Sequence, residues 1–468
     1  MSISKVSRRS FLQAIGLYSA VTVFSACSDS STATSSTSSS TTSTATTTDS
    51  SDVDIIASEN IEIRMASTAT AGTLLSEVYT ELLDNFVTEY PNVEISFEAL
   101  TSSEIRTKLS VEFAANTPPD ITWIPSNYAR EYIGTGQLLA LNDVVEADEE
   151  MQSWFSDAMW DNVTSADGEI MFMPLELAYD SLYYNKSMFA EHGWNLPTTF
   201  DELMDLFDEI NAAGISPMTT GGADTRFAWQ ASVLLLRAGG AANYKALTIG
   251  DALTEWDNPD YGFVTAMEKF KEMVDSDCYY QGVLGLTMND SYVAFTNGEV
   301  AMCYEGAWMP SSFETYGGTE FLENVGRINF PAMTDCPNGS PDCCVGGCGV
   351  GWACASGLPE AKQAACIEIL KRIMCPDTSI PLLEANASVY CGNCDYDESK
   401  LSTLMNEVIA AAKASTEFVG CFDVSAAPAI DLAIKGTACP GIITGEYTPE
   451  QAAAEVQKAA EAYVAALV

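Results

Sequence analysis

The chain predicts an α/β protein of two lobes, carried behind an N-terminal export segment. Three observations predict it. Strand-like and helix-like apolar periods take turns along the chain. About 410 residues follow a Ser/Thr-rich segment, more than one core of ordinary size holds. With 47% hydrophobic and 10% aromatic residues, there is material for both cores.

The export segment comes first. Arg8 and Arg9 precede an apolar run over residues 11–24, which ends at Ser25-Ala26-Cys27. A basic start, a short apolar stretch and small residues at its end describe a signal, since a spanning helix needs about 20 apolar residues. Ser7-Arg8-Arg9-Ser10-Phe11-Leu12 resembles a twin-arginine signal, read by a system that exports folded proteins. The small-small-Cys ending resembles a lipobox, although Phe24 stands where that motif usually has an aliphatic residue. Of the 24 residues from 28 to 51, 20 are Ser or Thr, a composition with nothing to bury. The expectation is a signal over 1–26, a lipidated Cys27, and a solvated tether over 27–57. Such a tether spans roughly 30 Å as a coil. An ordinary cleaved signal with an incidental Cys27 is the alternative.

Every one of the 65 acidic residues follows Cys27, against 18 basic ones, so the mature chain carries −47. That field repels nucleic acid and anionic lipid, which makes both poor partners. His192, the only histidine, stands before Gly193 where a helix should end, so histidine-rich metal sites are excluded. Of the 14 cysteines, Cys336, Cys343, Cys344 and Cys348 crowd one Pro/Gly/Asp loop, and Cys391-Gly392-Asn393-Cys394 is a CxxC. In an exported chain these predict at least one disulfide within residues 336–348. A thiolate metal site from the Cys343/Cys348 and Cys391/Cys394 pairs is the weaker alternative, and a redox CxxC is another. Cys366 and Cys375 read as small apolar core residues.

In the body, residues 61–66 alternate like a strand, and 74–90 carry apolar residues at helical spacing up to Pro91. Residues 93–97 form a second strand, 103–115 a helix and 120–124 a third strand. Strands alternating with helices of this length predict parallel sheets. Thr198 or Thr199 caps a helix opening at Phe200, and residues 361–374 form another.

Several phrases carry a more specific message: Thr117-Pro118-Pro119-Asp120-Ile121, Gly136-Gln137-Leu138-Leu139, and Leu182-Tyr183-Tyr184-Asn185-Lys186. Others are Leu196-Pro197-Thr198-Thr199-Phe200, Phe295-Thr296-Asn297-Gly298-Glu299-Val300-Ala301-Met302, Glu305-Gly306-Ala307-Trp308, and Gly346-Gly347 to Gly351-Trp352. In this order and at these separations the chain, from about residue 61 to 465, resembles the extracellular solute-binding proteins of family 1. These are the sugar-capturing subunits of ABC importers, maltose-binding protein among them. The resemblance implies a two-lobed periplasmic-binding-protein-like fold whose lobes close on a ligand by hinge motion. It implies chain crossings near residues 174–179, 302–305 and 349–352. Lobe one is then expected over 58–175 and 304–349, and lobe two over 176–303 and 350–468. The family pattern has no cysteine cluster beside such a crossing.

A sugar offers apolar faces to aromatic rings and a rim of hydroxyls to polar groups. Trp308, after Gly306-Ala307, matches a sugar-stacking Trp of the family, with core packing as the plainer reading. Asn127 and Tyr128 match polar rim positions of lobe one. Glu176, Tyr179 and Asp180 flank the first crossing and face either ligand or hinge. Asp224, Arg226 and Trp229 mark a loop entering a helix, where the Arg and Trp are either ligand contacts or a structural pair. Trp352 and Thr70 complete the expected site, with no metal, no cofactor and no catalytic residue. The partners implied are a carbohydrate, ABC permease subunits and the outer face of the cytoplasmic membrane through the lipid, with the protein a monomer. The rival readings are an exported glycosidase, which needs two carboxylates facing one bond, and a surface adhesion or redox protein built on the cysteines.

Overall fold

The computed structural model describes residues 55–69, 72–393, 395–415 and 417–466. The expected leader, Cys27, the tether up to residue 54, Thr70 and Cys394 lie outside the described residues.

Strand β1 (Ile61–Ser67) buries Ile61, Ile63 and Met65 and exposes Glu62 and Arg64, the alternation the sequence shows. Helix Leu74–Glu89 carries the chain to β2 (Val93–Ala99), which pairs parallel with β1. Helix Ser102–Ala114 then leads to β3 (Ile121–Pro125), parallel on the other side of β1. Capping agrees with composition: the Thr101 and Thr199 side chains accept from the backbone of Glu104 and Glu202, whose carboxylates return the bond. Each such cap is worth about 1 kcal/mol. His192 ends helix Lys186–His192, and Gly193 behind it takes the left-handed conformation, as expected.

The chain continues through β4 (Met173–Pro174), β5 (Ala178–Tyr179), β6 (Ser181–Asn185), β7 (Ser216–Thr219), β8 (Val300–Glu305) and β9 (Val325–Ile328). It ends its strands with β10 (Cys344–Gly347), β11 (Val350–Cys354) and β12 (Phe418–Val419). Lobe one holds the sheet β2-β1-β3-β11-β4, and lobe two the sheet β7-β8-β6-β9. A short third sheet, β12-β10-β5, stands where the chain passes between them.

This pairing corrects the expected partition. β8 is an inner strand of the lobe-two sheet and β9 pairs with β6, so residues 304–349 stay in lobe two and no crossing occurs at 302–305. β11 instead pairs with β3 and β4, and helix Glu360–Met374 packs on β1, so the chain after Gly349 returns to lobe one. It leaves again near Val389, whose carbonyl accepts from Leu177 of the first crossing at 2.9 Å. Helix Thr403–Ala414 then packs on β9 and on helix Met309–Glu323, while Phe422, Val424 and Ala426 enter the second core. An inner strand reads as an apolar run whichever sheet it joins, which is why the pattern alone misassigned these segments.

The cysteines are also corrected. Cys336, Cys344 and Cys348 carry thiols rather than disulfides, and the Cys343 thiol donates to Glu417. Cys344 and Cys348 are buried, and Cys344 donates to the Tyr179 hydroxyl at 3.2 Å. The loop is held in part by Arg237, whose guanidinium donates to the carbonyls of Ser340 and Cys343 at 2.7 and 3.0 Å. Among the described residues no group of three or more His, Cys, Asp or Glu stands at metal-binding spacing.

Candidate ligand-binding site

Three stretches of lobe two meet at the end of its sheet nearest lobe one. The first is the crossing itself, where Asp180 follows β5 and its backbone N–H donates to Val345 at 3.0 Å. The second is the end of β8, Glu305, followed by Gly306-Ala307-Trp308. The Trp308 ring folds back over Gly306, so closely that a Cβ there would lie 2.0 Å from the nearest ring carbon. Glycine at 306 is therefore part of what places the tryptophan. The Tyr183 hydroxyl pins the same turn by donating to the Gly306 carbonyl at 2.9 Å.

The third stretch is the loop before helix Phe227–Ala238. Gly222 lets it lie against the neighbouring backbone, where a Cβ would meet the Val283 carbonyl oxygen at 2.2 Å. Asp224 accepts from the Met288 backbone at 2.6 Å, and Arg226 donates to the Met288 sulfur at 2.9 Å. The Arg226 guanidinium lies 3.8 Å from the centre of the Trp229 ring and 5.7 Å from that of Trp308. Trp229 and Trp308 meet edge to face at 5.0 Å. The structural pairing of Arg226 with Trp229 and the placement of both beside Trp308 therefore hold together.

What distinguishes this place is its unsatisfied polar atoms. Glu305 is 1% exposed and neither carboxylate oxygen has a hydrogen bond of normal geometry, although the Tyr292 hydroxyl and the Gly306 N–H stand beside it; Asp180 is 5% exposed and its Oδ2 has none. Trp308 Nε1 and the Tyr292 hydroxyl are likewise buried without a bond of normal geometry. Leaving one such group unpaired costs about 1–3 kcal/mol, more when it is charged. Burial pushes the Glu305 carboxyl up to about 7, against the pull of Arg226. Asp180 is pushed well above its usual range by burial first, then by Glu305 and Asp423.

The lobe-one wall differs. Asn127 Nδ2 donates to the Ala426 carbonyl at 3.0 Å while its Oδ1 accepts from the Tyr128 backbone, so its amide is committed within the protein. Ser126 donates to the Val424 carbonyl at 2.6 Å, and Arg130 to the carbonyls of Val424 and Ser425. Arg106 pairs with Asp423 at 2.9 Å. Tyr128 is buried beside Tyr132. Tyr179 is a hinge strut: fully buried, it donates to Asn329 Oδ1 at 2.7 Å. Trp352 is likewise fully enclosed, opposite Trp123 in the sheet and edge-on to Tyr79 at 5.8 Å. Glu176, bridged to Tyr390 across the first and third crossings, is raised to about 7 by burial. Of the expected residues, the structure thus gathers Asp180, Asp224, Arg226, Trp229 and Trp308. It leaves Asn127, Tyr128, Tyr179, Glu176 and Trp352 in the wall and hinge.

Two members of the cluster, Glu305 and Tyr292, were not among the expected residues. Glu305 is adjacent to the Gly-Ala-Trp phrase and readable as its partner. Tyr292 lies on helix Met288–Thr296 and carries no sequence signal beyond helical spacing.

A family model for bacterial extracellular solute-binding proteins matches residues 70–335. The chain belongs to that family. The family works outside the cytoplasm, so this member is an exported protein. An uncharacterized ABC transporter extracellular-binding protein of Pyrococcus horikoshii is 24% identical over 265 residues, 55% of this chain and 58% of its own length. A diacetylchitobiose binding protein of Streptomyces coelicolor is 25% identical over 49% of each chain. The chain thus spans about half to three-fifths of the length of these two relatives. Among solved structures, a chitin oligosaccharide binding protein superposes with a TM-score of 0.78 at 21% identity, covering 86% of this chain and 98% of its own. A structure from work on xylan utilization by Caldanaerobius polysaccharolyticus gives 0.76 at 22% identity, covering 85% and 99%. These likenesses show the two-lobed solute-binding fold.

Proposed function

We propose that this solute-binding protein captures a carbohydrate, an oligosaccharide rather than a single sugar, between its lobes and hands it unchanged to ABC permease subunits. One observation carries the reading. Buried donors and acceptors without a hydrogen bond of normal geometry (Glu305, Asp180 Oδ2, Trp308 Nε1 and the Tyr292 hydroxyl) sit beside two aromatic rings that meet edge to face in the region between lobes. Hydroxyls of a sugar would complete those bonds while its C–H face covers Trp308. Sugar-binding relatives and neighbours support the same class of ligand. In this reading Cys27 is lipidated and the Ser/Thr tether holds a monomeric receptor at the outer face of the membrane. Replacing Cys27 with Ala should then release it from the membrane fraction.

The deciding experiment is a thermal-shift screen over mono- and oligosaccharides, amino acids and polyols, followed by calorimetry and product analysis on the best binder. A ligand at a hundred times its Kd adds about 2.7 kcal/mol of stability. Stabilisation by a saccharide that is recovered intact is expected. Turnover of that saccharide would replace the receptor reading with the glycosidase one.

A further inference from the structure

The carboxyls at the site are not paired alike. Asp423 is matched by Arg106 at 2.9 Å, and Asp431 by Lys435 at 2.6 Å. Asp180 and Glu305 have no such match. Arg226 is the cation that acts on both, yet among the described residues it forms no salt bridge, and its guanidinium lies on the Trp229 ring. Two buried carboxylates therefore share one guanidinium that is held away from each of them.

Their surroundings hold little else that could compensate. Glu305 is faced by Arg226 and Asp224 from the loop before helix Phe227–Ala238, by Tyr292 from helix Met288–Thr296, by Asp180 from the crossing, and by Cys303 of its own strand. Asp180 is faced by Glu305, Asp423 and Arg226, with Tyr304, Tyr183 and Cys421 around it. Among the described residues Arg226 is the cation that acts on both carboxyls, while Arg327, Arg237 and Arg106 act on the groups around Asp180 and the Gly306 N–H stands beside Glu305.

Three kinds of saccharide would meet this site differently. An acidic sugar adds a like charge in a dry place, which is costly. A neutral sugar completes the hydrogen bonds but leaves both carboxyls held in their protonated form. An ammonium does both: it donates up to three hydrogen bonds to carboxylates and carries the charge that lets them ionise. The net charge of −44 over the whole chain draws cations toward the site.

Resting on the carbohydrate-capture reading, we propose that the saccharide this protein prefers carries a primary amine, whose ammonium lies between Asp180 and Glu305. The preference is for an amino sugar over its neutral, N-acylated counterpart.

The test uses saccharides that differ only at carbon 2: glucose, N-acetylglucosamine and glucosamine, each as monomer and as β-1,4-linked trimer, titrated calorimetrically into the full protein. The amine-bearing members should bind about tenfold tighter or more, the scale of a hydrogen bond to a charged group. Their binding near neutral pH should release protons as the carboxylates ionise, read from buffers with different heats of ionisation. Glu305→Gln and Asp180→Asn should each bring the ratio of amine to acetamide affinity toward one. Tighter binding of the hydroxyl or acetamide members, or an unchanged ratio in both variants, overturns this inference and leaves sugar capture standing. If no member of the panel binds while a non-saccharide stabilises the protein, both readings fall.

Discussion

The two sides of the cleft use polar residues in opposite ways. On the lobe-one wall Ser126, Asn127, Arg130 and Arg106 are all engaged, and each reaches across to the segment 423–426 of lobe two. On the lobe-two floor the Glu305 oxygens, Asp180 Oδ2, Trp308 Nε1 and the Tyr292 hydroxyl are buried atoms without a hydrogen bond of normal geometry. Residue type does not separate the sets, since each has a carboxylate or an amide and each has a neighbouring aromatic. What separates them is whether the surrounding backbone supplies a partner. The wall is therefore a clasp between lobes, and the floor keeps buried polar atoms without such partners.

The sharpest way to break that contrast is Arg106→Ala. Burial alone would raise the Asp423 carboxyl, but Arg106 and Arg226 outweigh it and hold it below the usual carboxylate range. Without Arg106 the charge is left largely uncompensated, a cost of about 3–5 kcal/mol for a buried pair. Urea unfolding should show a loss of that order, and small-angle scattering a wider separation of lobes. An unchanged unfolding midpoint and radius would mean that the clasp does not hold the lobes.

Glu305 should behave in the opposite sense. Its folded pKa, about 7, lies above the ordinary 4.5, so its protonated form favours folding. Stability from this group is complete below about pH 4.5 and is lost as pH rises toward and through 7. Glu305→Gln, which cannot ionise, should thus stabilise the ligand-free protein by roughly 3 kcal/mol at pH 8 and by almost nothing at pH 4. Thermal melts at the two pH values decide it. A uniform destabilisation would place Glu305 among the structural residues instead.

Trp308→Ala should have the smallest effect on the fold and a clear one on binding. Losing the stacking surface should weaken the best saccharide by about 1–3 kcal/mol, or ~5- to 150-fold. Trp194→Phe serves as control, because Trp194 stacks on His192 at a helix end far along the chain from the cluster. Equal calorimetric affinities for wild type and Trp308→Ala would take that ring out of the site.

Much of this was legible in the chain before any coordinates. Local rules wrote the capped helices at Thr101 and Thr199, the alternation of β1, and the helix end at His192 and Gly193. Each depends on residues a few positions apart. Ordered phrases marked the family and pointed to Trp308, Arg226 and Trp229, because a Gly two residues before a Trp and a Gly-Gly loop before a helix leave traces in sequence. The partition of residues 304–390 between lobes left none. Inner strands β8 and β11 carry the same apolar character, and only pairing tells which sheet takes them.

The same limit applies at the site. Composition and order determined the acidic character, the α/β class and the Gly-Ala-Trp turn. Tertiary structure alone decided that Asn127 bonds a carbonyl 299 residues away, that Tyr179 braces the hinge, and that the Glu305 oxygens and Asp180 Oδ2 are buried without a hydrogen bond of normal geometry. Hydrogen bonds between distant segments depend on where folding puts a donor and an acceptor, and a sequence records only that both exist. Whether a buried carboxylate is satisfied is a property of the packed neighbourhood, so the step from candidate residues to an incomplete site came from the fold.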